Sequence, residues 1–171
     1  MGLFDKLKSA VNFVTGGGAR VVVELPPAGL VAGQPAPVRV TVTSTGGAIQ
    51  ATGVFLDLVA TEHLHVPGNL LPATPQATTA GTTTPTTTTN AFRPDLTLSR
   101  QMFEQAAPLA GPFQLAPNET RVFEGTVLIP PGVQPSYHGQ CCRHEWRARG
   151  RVEVRGNDPD SGFQPIRVLV G

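Results

Sequence analysis

The stretch Phe123-Glu124-Gly125-Thr126-Val127-Leu128-Ile129-Pro130-Pro131-Gly132-Val133-Gln134-Pro135-Ser136-Tyr137-His138-Gly139 decides the fold. An alternating strand runs into Pro130-Pro131, and the proline pair stops the ladder. Proline has no backbone N–H to donate and fixes its own φ, so it marks a strand end or a sheet edge. Pro135-Ser136-Tyr137-His138-Gly139 then turns the chain. After a loop at Cys141-Cys142 a second alternating run, Glu145 to Val154, returns. The reading is strand, proline-rich corner, strand.

The rest of the chain fits that pattern. Its 171 residues suffice for one buried core and are too few for two ordinary domains. Glycine (19) and proline (17) are abundant and charged residues make up 15%, which favours short strands joined by turns over a helical bundle. Strands are expected at 20–25, at 36–44 with Val38, Val40 and Val42 on the dry face, and at 51–66, a run long for one strand that a bend near Thr61-Glu62 is expected to divide. Residues 96–104 fit strand or helix; the flanking Pro94 and Pro108 favour strand. Runs at 113–115, 120–129, 145–155 and 165–170 complete eight or nine strands, the count of a β-sandwich.

Residues 3–14 are expected to form the one helix, because Leu3, Leu7, Val11 and Val14 share a face that Phe4 widens. Gly16-Gly17-Gly18 ends it and supplies a hinge, so residues 1–18 form a unit apart from a sandwich at 19–171. A helix of about 12 residues is marginal alone in water and must dock on something. The choices are its own sandwich, a neighbouring copy or partner, or a membrane surface; the glycine hinge favours a neighbour or partner. From about 73 to 91 the chain is low-complexity, with nine threonines in the fourteen residues Ala77 to Asn90, and is expected to be a disordered surface loop.

Three passages together resemble the arrestin clan. Leu30-Val31-Ala32-Gly33-Gln34-Pro35, with the strand after it and Val54-Phe55-Leu56-Asp57-Leu58, resembles the clan's opening strands. Met102 to Phe123 resembles its lead-in, and Leu128 to Gly139 its Leu-Pro, Pro-Ser-Tyr-x-Gly passage. Within the clan the bacterial sporulation-control family is most similar. That resemblance implies an all-β, antiparallel immunoglobulin-like sandwich of the arrestin N-domain type, and a non-enzymatic scaffold. It also implies a second sandwich in tandem, whereas this chain reaches about where the first would pass to the second.

Candidate chemistry is sparse. His138, Cys141, Cys142 and His144 place two thiols and two imidazoles within seven residues. They fit a tetrahedral zinc site, a strained vicinal or intermolecular disulfide, or free thiols on a loop. The spacing matches no standard zinc pattern, and free thiols are expected. His63 and His65 share a strand face without an evident third ligand. Asn157-Asp158-Pro159-Asp160-Ser161-Gly162 has the residues of a tight turn and lacks the closing glutamate of a calcium loop. Trp146 and Tyr137 are expected to plug the core beside the corner.

No nucleophile elbow, phosphate loop or paired-carboxylate site appears, so no enzyme activity and no cofactor are expected. Near-zero net charge with interleaved signs points away from nucleic acid. The N-terminus lacks a signal-peptide core, and Lys6 departs from the myristoylation pattern, so a cytoplasmic protein is expected. The functional expectation is an adaptor that binds a protein through a sheet edge, loops or the Leu3–Val14 helix, in sporulation or stress regulation. The alternatives are a self-assembling structural protein using that helix, and a metal or redox module at the Cys-His loop.

Overall fold

Alternation sorts each strand into a dry and a wet side. The computed structural model describes residues 18–70 and 94–171 and the backbone of Lys8–Ser9. Its strands are β1 (Lys8–Ser9), β2 (Ala19–Leu25), β3 (Leu30–Val31), β4 (Pro35–Ser44), β5 (Ile49–Val66), β6 (Leu96–Ala110), β7 (Phe113–Leu115), β8 (Thr120–Leu128), β9 (Tyr137–His138), β10 (Cys142–Val154), β11 (Gln164–Ile166) and β12 (Val168–Leu169). One sheet has the order β1-β2-β4-β8. The other has the order β11-β10-β5-β6, with β9 also paired to β10 and β7 to β5. Every pairing in these two sheets is antiparallel, while β3 and β12 form a small parallel pair.

The core lies between the sheets. Val21, Val23, Val38, Val40 and Val42 from one sheet meet Val54, Leu56, Leu58, Trp146, Ala148 and Val152 from the other, and all are buried. Gly150 sets how closely the layers approach, since a Cβ there would lie 3.3 Å from the side chains of Val23 and Val40. Pro117 and Asn118 turn the chain into β8. Asn118 takes the left-handed φ of 62° that asparagine tolerates, and the Glu119 carboxylate accepts from the Ala116 N–H at 2.7 Å. That bond, with Arg121 adding to it, holds the Glu119 carboxyl below the usual carboxylate range.

Several expectations need correction. β5 is not divided at Thr61-Glu62; it runs unbroken, and a register shift against β6 falls between Ala60 and Thr61. The ambiguous run after Pro94 is strand, and it continues past Glu104 through Pro108 to Ala110. Proline is tolerated there because β6 is an edge strand and a register irregularity sits beside Phe55, the partner of Pro108. The strand expected at 165–170 splits, β11 pairing with β10 and β12 with β3. The second strand of the corner starts at Cys142, since Cys142–His144 pair with Glu62–Leu64.

The Leu3–Val14 helix and the threonine-rich tract fall outside the described residues, apart from Lys8–Ser9, which pair as a strand with Leu25 and Glu24. Among the described residues no helix is long and apolar enough to cross a membrane.

Candidate functional site

The proline-rich corner and β10 meet at one end of the larger sheet. Register decides what meets: Tyr137 lies opposite His144, and Glu62 lies opposite His144 on the other flank. Glu62, Tyr137, Cys142 and His144 therefore converge on the inward face. The Tyr137 hydroxyl donates to Glu62 Oε1 at 2.8 Å, and Cys142 Sγ lies 3.0 Å from the same hydroxyl. With its one proton committed to Glu62, Tyr137 accepts from the thiol. Bonds to Cys142 and then to Glu62 push the phenol above its usual range.

His144 is 2% exposed, and its Nδ1 has no hydrogen-bond partner. Its ring stacks on Tyr137 with centroids 6.0 Å apart and meets the edge of Trp146 at 6.0 Å. Burial lowers its pKa, with the Glu62 charge pulling the other way, so the imidazole is neutral near pH 7. Trp146 is buried, as its sequence setting suggested; it lies 4.9 Å from Phe103, and its Nε1–H donates to the Gln134 carbonyl at 2.9 Å.

Beside this cluster the edge of β10 is bare at Glu145, between the residues paired with β9 (Arg143, His144) and those paired with β11 (Trp146 to Ala148). A groove of about 490 Å³ occupies the gap, lined by Tyr137, His144, Trp146, Arg147, Ile166 and Arg167 among others. Glu145 bridges Arg143 at 3.2 Å and Arg147 at 3.3 Å. The same carboxylate lies 3.5 Å from His63 Nε2, without the alignment of a hydrogen bond.

The four sequence-predicted ligands are not gathered. Cys142 and His144 share the inward face, whereas His138 pairs opposite Arg143 and points the other way. Both cysteines are free thiols, and among the described residues no three His, Cys, Asp or Glu side chains are placed to hold a metal ion. His63 and His65 share the outward face, each ring bonded across the strands, to Ser99 at 2.8 Å and Thr97 at 3.2 Å. The Asn157–Gly162 segment is a turn whose carboxylates face arginines: Asp158 accepts from Arg151 at 3.1 Å and Asp160 from Arg149 at 3.2 Å. Asp57, 8% exposed, joins the two arginines from β5 at 2.9 and 3.1 Å. Sequence reasoning assigned neither Glu62 nor Asp57 a role; a lone aspartate inside the apolar run Val54–Leu58 was the available signal.

The opposite side of the molecule carries two sheet edges, β6 and β8. Phe113 of β7 and Phe123 of β8 pack beside these edges with ring centroids 4.7 Å apart. Leu98 (56%), Met102 (45%), Val122 (49%) and Leu128 (50%) stand exposed along these two strands.

No family model and no curated protein sequence matches the chain. Among solved structures it is similar to Spo0M, the sporulation control protein from Bacillus subtilis, with a TM-score of 0.56 and 15% identity. The match covers 91% of this chain and 51% of that one, so the chain spans about half the length of Spo0M. The likeness shows a shared fold, here the antiparallel two-sheet sandwich.

Proposed function

We propose that the protein is a non-enzymatic, cytoplasmic adaptor that binds a protein partner by adding a strand to the β6 or β8 edge. The carrying observation is the pair of long edges on one side of the sandwich, each with exposed apolar side chains. An edge strand presents unpaired N–H and C=O groups to an extended peptide, while alternate side chains confer selectivity. β8 has nine residues and no internal proline. The similarity in fold to a sporulation control protein supports a regulatory role, and the apolar residues Leu3, Phe4, Leu7, Val11 and Val14 are proposed as a second contact for the same partner.

Affinity capture from native lysate tests this with the wild type, an edge variant (Val122→Lys with Leu128→Lys) and a chain lacking residues 1–18. A partner lost with the edge variant supports strand addition. A partner retained by it and lost with the truncation moves binding to the N-terminal segment. Light scattering on the purified chain separates a monomeric adaptor from a self-assembling protein.

A further inference from the structure

The register of β8 on β4 fixes which groups its free edge presents. The two strands pair without a shift over nine positions, from Thr120 with Thr43 to Leu128 with Pro35. β6 carries Pro108 and two register irregularities against β5, so β8 is the more regular template. The Ser44 N–H donates to the Glu119 carbonyl at 2.9 Å, which turns the backbone groups of Glu119 and every second residue after it toward β4. Antiparallel pairing alternates, so the N–H and C=O groups of Thr120, Val122, Glu124, Thr126 and Leu128 face the free edge. The side chains of these five residues stand exposed on the outer face of the sheet.

Those side chains extend rows that cross the smaller sheet. Thr120 and Thr43 bond through their hydroxyls at 2.9 Å, and Val122 lies in line with Thr41 and Val22. Glu124 lies in line with Arg39 and Glu24. Arg39 donates to Glu124 Oε1 from Nε at 3.0 Å and from Nη2 at 2.8 Å, and its Nη1 reaches Glu24 at 3.5 Å. Two carboxylates thus flank one guanidinium. Glu124 ends the row at the edge, with its side chain 44% exposed and no hydrogen-bond partner for Oε2 among the described residues. It is also the middle residue of β8, so full antiparallel overlap with a second copy would set Glu124 against Glu124. Like charges directly opposite destabilise a pair, and such a charge guards an edge against its own kind.

We propose that the segment β8 accepts is antiparallel and basic, with a lysine or arginine opposite Glu124 and a β-branched or aliphatic residue two places later, opposite Val122. The base becomes the fourth member of the Glu24–Arg39–Glu124 row, so that charges alternate along it, and the apolar residue covers Val122. The inference rests on the strand-addition reading and narrows it to one edge and one class of partner.

The probe is an end-blocked nine-residue peptide of valine and threonine with lysine at its centre, titrated against the full chain by fluorescence anisotropy beside a twin with glutamate at its centre. The lysine peptide is expected to saturate the edge and the glutamate peptide to bind at least about fivefold more weakly, a gap that added salt narrows. Glu124→Lys is expected to reverse the preference; the peptide exchange itself leaves the protein unaltered, so the comparison does not depend on how a variant folds. Residue-resolved amide exchange is expected to slow at Val122, Glu124 and Thr126, and to change less at Arg121 and Phe123, whose N–H groups face β4. Protection at those three amides with equal affinity for both peptides overturns the basic-partner inference and leaves strand addition standing. Binding without that protection, or no saturable binding of either peptide, overturns the inference together with the adaptor reading at β8.

Discussion

The indole N–H of Trp146 donates to the backbone carbonyl of Gln134 at 2.9 Å, clipping the proline-rich corner to the core strand β10. Gln134 lies between Pro131 and Pro135, in a segment with little ladder of its own, so this bond and the Ser136–Val168 pair hold the corner down. Trp146→Phe keeps most of the ring contact and removes the donor. The expected cost is about 1–3 kcal/mol in urea unfolding, from the lost bond and the smaller ring. A cost under about 0.5 kcal/mol would show that the corner is held elsewhere.

Gly150 faces Val23 and Val40 across the sandwich, where any side chain enters a packed layer. Gly150→Leu is expected to destabilise the fold by about 1–3 kcal/mol or more, because overpacking forces the sheets apart. Thermal unfolding checks this, and an unchanged melting temperature would contradict the close approach.

Asp57 holds Arg149 and Arg151, which in turn hold Asp160 and Asp158 of the β10–β11 turn. Asp57→Ala removes the most buried member and leaves two part-buried cations short of a counter-charge. A loss of about 1–3 kcal/mol is expected, less than for a fully buried pair because the arginines reach solvent. Faster amide exchange at residues 157–162 is expected with it; unchanged exchange there would mean that the turn stands on its own bonds.

His144 gives the fold a pH dependence of definite sign. Burial lowers its pKa in the folded state, so below the ordinary histidine value of about 6.5 the unfolded chain binds a proton that the folded chain resists. Stability from this group is complete above that value and is lost as pH falls toward the folded pKa. The groups facing the ring are Glu62, Tyr137 and Cys142, which are hydrogen-bonded to one another. Denaturant titrations at neutral pH and at mildly acidic pH should show the decline in wild type and a flatter profile in His144→Phe. Equal slopes in both would assign the decline to other groups.

The alternation in β4 and β10 made the sandwich legible, because a period of two with one dry face leaves few other folds open. The corner was legible because proline and glycine act locally. Extents were less so: Pro108 passes inside β6 only because that strand is an edge, and edge position is a property of the assembled sheet. The polar cluster was half legible. Cys142, His144 and Tyr137 stood close in sequence, but Glu62 reaches them through a register with β5 across 75 residues, which no local pattern encodes. The pairing of β9 with β10 sets His138 opposite Arg143 and on the other face from His144, so proximity in sequence overstated the metal site.

The central claim is that the β6 and β8 edges form the binding surface. Its most direct measurement is amide hydrogen exchange of the captured complex against the free protein. Strand addition predicts new protection along Thr120–Leu128 or Leu96–Glu104, lost when Val122 and Leu128, or Leu98 and Met102, are changed to lysine. Protection confined to other surfaces, with affinity unaltered by either lysine pair, would contradict the account.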